Sequence, residues 1–511
     1  MEGLRSALSW TRRHAFAFLL GLQAFLLLYR PDLLPPWGDE VGTLQRSAYP
    51  IAQIPGILRS EIHPPLYYFL VHFWLELPLP AGPLVKARLL SALLLLAATV
   101  LIDRLWLRQL ESAVRIWWLG FWTLSPCLLL YGRMARSYTL SLLLGCLALW
   151  AALQFFRQPL LWRRAALYAA AATCLLYTHY APGLAVAAGL SVAVVWKSIR
   201  QRSFLPLLSL AAVQVAIAVC FLPWLGHLRW TLGFKLYTYS VSGNALVDHL
   251  LNLGYWFFSF HFGETPPLWV LALAILLAPA LAWLLWRGVR SAPDWLPVLV
   301  PVAAIAYLGV ADRVTFVFVP ARLLFLLPFA MLLLARGCRS AGKAGAVAGC
   351  ALLAASMGSI HSYFSKENFL NKSYVIPGEE IARLIDERSR PRGVLLVVDG
   401  YNTNIFPALG LLKTNVTTVF VGEDGWEPAL RRETANSTER TIWYVRNTHD
   451  ISPGGVSGRL DAELAAGREL HRHLFVEYSA ADRFMMRLLG WRERPRHMIQ
   501  VLELRPAHAQ R

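Results

Sequence analysis

Apolar residues in this chain come in long unbroken runs, and short polar breaks separate them. Eleven runs are centred near Leu22, Leu96, Phe121, Leu147, Ala171, Val192, Val213, Ile275, Ala303, Phe329 and Ala351. About 20 mostly apolar residues, as a helix, cross the hydrocarbon of a bilayer. The pattern therefore predicts a polytopic α-helical membrane module with about 11 transmembrane helices over residues 1–360. The first run lacks a small-residue cleavage site and is read as a retained helix. After Ser362 the pattern changes. The short runs GVLLVVDG (393–400), TTVFVGE (417–423), TIWYVRN (441–447), HLFVEYS (473–479) and MIQVLEL (498–504) have the length and content of buried strands. Glu379–Ser389 and Leu460–Leu470 read as helices between them. Strand–helix alternation predicts a C-terminal α/β domain over 361–511.

The polar breaks carry the topology. Arg104, Arg108 and Arg115 fall in one break, then Arg157, Arg163 and Arg164, then Lys197, Arg200 and Arg202, then Arg287 and Arg290, then Arg336, Arg339 and Lys343. They recur in every second loop, as loops facing the cytoplasm do. The expected orientation has the N-terminus cytoplasmic and the C-terminal domain extracytoplasmic. Two outer loops are long, 31–83 and an aromatic-rich 225–266. The plainer reading of the second is a helix lying in the membrane interface.

Composition agrees with this picture. Only 16% of the 511 residues are charged, where a soluble domain carries about 25%. The net charge of +18 is spread over the loops and forms no clustered footprint, which argues against nucleic acid as a partner. The six cysteines lie in or beside apolar runs, with no CxxC or His/Cys cluster. They read as free thiols, and no metal site is expected. Neither a P-loop nor a GxGxxG is present.

Five short motifs carry chemistry. Asp39 and Glu40 stand together in PPWGDEVG, just past the first helix. Glu61 and His63 follow in EIHPPLYYFL, where two prolines stiffen the turn behind the imidazole. RMARSYTL brings Arg133, Arg136 and Tyr138, YTHYAPG brings Tyr177, His179 and Tyr180, and VPARLLFLLP brings Arg322. A lone arginine at a helix end usually reaches for lipid head groups, and an acid pair in a loop is usually just solvated. What sets these residues apart is that all map to the same outer face. Guanidinium forks suit phosphate oxygens, and a carboxylate serves as general base toward a hydroxyl.

The order of these motifs resembles the membrane glycosyltransferases of GT-C fold, of the protein O-mannosyltransferase type (family 39-like), related to the bacterial lipid A aminoarabinose transferase. The resemblance covers roughly the first 340 residues. It implies a hexosyl or pentosyl transferase in a bacterial inner (cell) membrane, moving a sugar from a polyprenyl-phosphate donor to a hydroxyl of a protein, lipid or glycan. It implies Asp39 as base with Glu40 beside it, Arg136, Arg322 and Tyr138 at the donor phosphate, and Glu61, His63, His179 and Tyr180 positioning substrate. It implies inversion and requires no cofactor; a divalent metal is not expected. Two departures are plain. Tyr67-Tyr68 follows HPPL where eukaryotic members have Gly-Lys, and Arg133 stands where bacterial relatives often have an acid. The alternative reading is a transporter or flippase for a lipid-linked sugar, although such proteins usually show internal repeats and charges near the bilayer midplane.

Overall fold

The computed structural model describes residues 2–506 except 61–62, 158–161, 234–243, 294–295, 313–316, 390–393, 400–411, 422–424, 436–439, 449–459, 461–463 and 489–495. It divides into two compact units: Met1–Pro31 with Gly42–Tyr363, and Asp32–Val41 with Phe364–Arg511. The boundary near residue 360 falls where the sequence pattern changes. The grouping of Asp32–Val41 with the C-terminal unit differs from the expectation, which left that segment with the membrane module.

The first unit is helical: α1 (Glu2–Leu28), α2 (Gly38–Ser47, its first turn in the other unit), α3 (Ile54–Ile57), α4 (Leu66–Leu75), α5 (Pro83–Ile102), α6 (Ser112–Thr123), α7 (Pro126–Gly132), α8 (Tyr138–Arg157), α9 (Trp162–Leu176), α10 (Tyr180–Gln201), α11 (Leu205–Gly233), α12 (Ala245–Phe262), α13 (Leu268–Arg290), α14 (Leu296–Ala311), α15 (Leu327–Ser340) and α16 (Gly342–Phe364). All eleven apolar runs lie on helices. Among the described residues, seven helices are long and apolar enough to cross a membrane, or eight if the bent pair α6–α7 is one span. The four runs outside the seven have visible reasons. The apolar parts of α1 and α14 are short, α9 has only 15 residues, and the run around Phe121 is broken. There Ser125 caps α7 through its hydroxyl and Pro126 cannot continue the helix. The result is a 52° bend.

Several buried polar groups in this unit pair across helices. The Trp122 indole donates to Thr99 Oγ1 at 2.7 Å, and Thr99 donates to Gln23 Oε1 at 2.8 Å, which ties α6, α5 and α1. Arg115 forks onto buried Asp103 at 2.6 and 2.8 Å. With no water to compete, such bonds fix helix register. Glycine does the same for α13 and α15. A Cβ on Gly288 would collide with the carbonyl of Leu333, and one on Gly337 with that of Leu284.

The second unit folds around a five-stranded sheet: β1 (Val394–Asp399), β2 (Val416–Val421), β3 (Thr441–Asn447), β4 (Arg468–Glu477) and β5 (His497–Pro506). The order is β2-β1-β3-β5-β4. β1 pairs parallel with β2 and β3, and β5 runs antiparallel to β3 and β4. The five strand-like runs of the sequence are these strands. Side chains alternate across the sheet. Leu396, Trp443 and Ile499 pack on one face with Ile381 and Ile385 of α17 (Gly378–Arg388). Leu395, Val397 and Tyr444 pack on the other with Leu430 of α18 (Trp426–Ala435). The helix expected over Leu460–Leu470 is cut short. Gly467 takes φ +69° and β4 begins at Arg468. A further helix, α19, spans Ala480–Leu488.

We expect Gly337→Ala to lower the melting temperature of the detergent-solubilised protein, since forcing a methyl into a packed interface costs roughly 1–3 kcal/mol. Gly21→Ala, whose methyl meets nothing within 4 Å, serves as control. Equal melting temperatures for the two variants would mean that α13 and α15 are not in backbone contact.

Candidate functional site

The chain leaves α7 at Gly132, turns through Arg133–Ser137 and enters α8 at Tyr138. Both arginines of that turn are buried, Arg133 at 3% and Arg136 at 5% exposure. A buried guanidinium must have its charge and N–H groups satisfied by protein, and the two do so differently. Arg133 donates to the carbonyls of Leu26 and Arg30, at the end of α1, and lies 5.2 Å from the Tyr363 ring. It closes a helix terminus, where cations are favoured. Arg136 turns to chemistry-bearing groups. Its Nη1 donates to Thr43 Oγ1 at 3.0 Å and its Nη2 to His63 Nε2 at 3.1 Å. The Tyr138 ring lies 5.9 Å from its Cζ.

A donor facing Nε2 requires a lone pair there, so His63 is neutral with its proton on Nδ1. Burial pushes its pKa well below the usual histidine range, and the charges of Arg136, His179, Arg322 and Arg46 push the same way. His179 meets it edge to face, ring centroids 6.0 Å apart at 88°. Its Nδ1 accepts from the Ala181 N–H at 3.3 Å and so caps α10. Burial lowers its pKa to about 3, with Arg322 and Arg136 contributing. The two motifs meet because the Leu66 N–H, just past the prolines, donates to the Tyr177 carbonyl at 2.9 Å. Arg322 sits on the 3-10 segment Pro320–Leu326, close enough to act electrostatically on both imidazoles. The outcome is a group of guanidiniums acting on two neutral rings.

Other expected residues fall elsewhere. The Tyr180 hydroxyl accepts from the Trp224 indole at 2.8 Å and its ring packs on Phe221. It therefore anchors α10 to α11. Tyr67, which follows HPPL, is buried against α5, its hydroxyl 3.0 Å from Ser91 Oγ. Glu61 lies outside the described residues. Two members of the neighbourhood were not read from sequence. Thr43 holds Arg136, and its only signal was its place four residues after Asp39. Glu264 accepts a hydrogen bond from Tyr131, whose ring meets Tyr138 edge on at 5.5 Å. Its signal was an acid in GETPP between two apolar runs.

Asp39 and Glu40 belong to the second unit and are unlike each other. Both lie in the first turn of α2, where carboxylates are favoured. Asp39 is exposed, whereas Glu40 is fully buried and its Oε2 faces the Trp37 N–H at 3.4 Å. The same segment is held by buried Leu33 and Leu34, and by Trp37 set edge-on against Tyr374 at 5.1 Å. Asp32 and Leu33 help line a cleft of about 920 Å³ in this unit, together with Lys366, Lys372, Glu380 and Arg383.

The neutral imidazoles have a thermodynamic consequence. Between pH 6.5 and about 3 the unfolded chain protonates a histidine that the fold keeps neutral, so stability falls as pH drops through that window. His179→Asn keeps a capping side chain and removes the titration. We expect the loss of melting temperature between pH 7 and pH 5 to be smaller in that variant. An undiminished loss would mean that His179 takes up its proton freely in the fold.

No family model matches the sequence, and no curated protein does. The solved structures that match include two that are similar over nearly their whole length. One is ArnT from Cupriavidus metallidurans in the apo state, at TM-score 0.57 and 14% identity, covering 97% of this chain and 98% of that one. The other is ArnT from the same organism bound to undecaprenyl phosphate, at TM-score 0.55 and 15% identity, with the same coverage. The likeness is one of fold, and the chain has the GT-C fold expected from its motifs.

Proposed function

We propose that this chain is a membrane glycosyltransferase that takes its sugar from a polyprenyl-phosphate donor and passes it to an acceptor hydroxyl at the extracytoplasmic face. The observation that carries this reading is the cluster in which Arg136, with Arg322 nearby, surrounds the neutral rings of His63 and His179. Guanidinium forks suit phosphate oxygens, and two neutral imidazoles beside them add donors and acceptors without adding charge. The fold supports the choice of anion, because a protein of the same fold binds undecaprenyl phosphate.

In the reaction the bond between the anomeric carbon and the phosphate oxygen breaks, and the phosphate leaves with added negative charge. Arg136 and Arg322 stabilise that charge where it develops. His63 fixes the guanidinium of Arg136 through its Nε2, and the Tyr138 ring lies 5.9 Å from its Cζ. Asp39 accepts the proton of the acceptor hydroxyl as the oxygen attacks the anomeric carbon, and a single displacement inverts the centre. Asp39 suits this part because it is the exposed member of the acid pair, while Glu40 is buried and faces the Trp37 N–H ahead of the helix. The acceptor is a hydroxyl of a protein, lipid or glycan.

Two measurements test this. Asp39→Asn is expected to abolish transfer from a radiolabelled polyprenyl-phosphate sugar while leaving the melting temperature unchanged, and full activity in that variant would remove Asp39 from the reaction. Arg136→Ala is expected to weaken undecaprenyl phosphate binding roughly tenfold to a hundredfold, the worth of a charged hydrogen bond of about 1.5–3 kcal/mol. Unaltered binding there, or movement of intact lipid across vesicles without transfer, would sink the donor-site assignment.

A further inference from the structure

Glu264 lies in the link between α12 and α13 and is 1% exposed. The link is pinned on both sides of it. Gly263, at φ +78°, packs so closely on Pro126 that a Cβ would collide. Thr265 Oγ1 donates to the Ser359 carbonyl at 2.7 Å, and Ser359 Oγ to the Phe262 carbonyl at 2.6 Å. The carboxyl therefore cannot swing out to water. Tyr131 and Tyr255 hydrogen bond to it, while its Oε2 is buried and makes no hydrogen bond among the described residues. A carboxylate with one bare oxygen in apolar surroundings is costly, and a proton relieves that cost.

From the carboxyl a short chain of contacts leads to the anion site. The Tyr131 hydroxyl binds Glu264, and the Tyr131 ring meets Tyr138 at 85°. The Tyr138 ring backs Arg136, and Arg136 binds His63. We infer that Glu264 is a positioning residue for the anion site: as a neutral acid it fixes Tyr131 and Tyr138 behind Arg136, and its ionisation weakens the hold on a lipid phosphate. This role rests on the lipid-phosphate reading of that site. The sign follows from charge, since a carboxylate formed at the end of this chain of contacts repels an anion and pulls harder on the Tyr131 hydroxyl.

The titratable groups facing Glu264 are Cys127 and Tyr131 of α7 and Tyr255 of α12. His261, also on α12, turns its Nδ1 to the Phe257 carbonyl. Burial raises the Glu264 pKa to about 7, against the lowering effect of the two tyrosine hydrogen bonds. Ionisation is thus centred near neutral pH, and the site loses affinity as pH rises through that range.

The experiment compares undecaprenyl phosphate binding by the full-length protein and by Glu264→Gln, in nanodiscs at pH 6 and pH 8. The ionisation of the lipid phosphate itself acts on both proteins and cancels in the comparison. We expect the wild type to lose ~fivefold in affinity relative to the variant between the two pH values, a modest coupling for two linked sites. Infrared spectra should show a protonated-carboxyl band at pH 6 that fades by pH 8 and is absent from the variant. Tyr131→Phe removes the donor but keeps the ring, and should move the wild-type decline to higher pH. Superimposable pH profiles for wild type and Glu264→Gln overturn the coupling while leaving the donor site standing, and so does a missing band at pH 6. Failure of the wild type to bind the lipid at any pH overturns the donor site and this role together.

Discussion

A guanidinium buried at the end of an apolar helix bundle has to be satisfied by its neighbours, and Arg136 organises much of its surroundings for that reason. Its two amino groups reach α2 through Thr43 and the loop before α4 through His63, while α8 supplies Tyr138. Each partner is thereby fixed relative to the others. The requirement also settles protonation. A ring that accepts from one guanidinium, and lies in the field of two more, stays neutral. The two imidazoles therefore add no charge of their own. Arg133, three residues earlier, meets the same requirement with backbone carbonyls and becomes a strut for α1.

Much of the fold was legible because hydrophobicity is a local signal. Eleven apolar runs became helices and five Val-, Leu- and Ile-rich runs became strands. Span number was less legible, since it depends on where a run is interrupted. The Ser125-Pro126 break and the short α9 are decided by capping and helix length. The misread stretch at Leu460–Leu470 has a helix-forming composition that a single left-handed glycine ends.

The candidate site was legible in part. His63, Arg136, His179 and Arg322 stand in short motifs, and the first unit brings the first three together, with Arg322 within electrostatic reach. Tyr180 belongs to the same motif as His179, yet the helix turns it toward α11. Glu264 and Thr43 carried no motif, because what matters about them is a partner far away in sequence. The split between Asp39 and Glu40 was equally hidden, since neighbouring letters say nothing about which side chain faces inward.

The packing of Asp32–Val41 with the C-terminal unit bears on how distant sequence changes are interpreted. Leu33, Leu34 and Trp37 are held by a module whose framework is encoded more than 320 residues downstream. Damage to that module, such as a frameshift or a disrupted strand, would release the decapeptide that bears the acid pair. A lesion in that module would then disturb Asp39 and Glu40 while leaving every motif of the first unit intact.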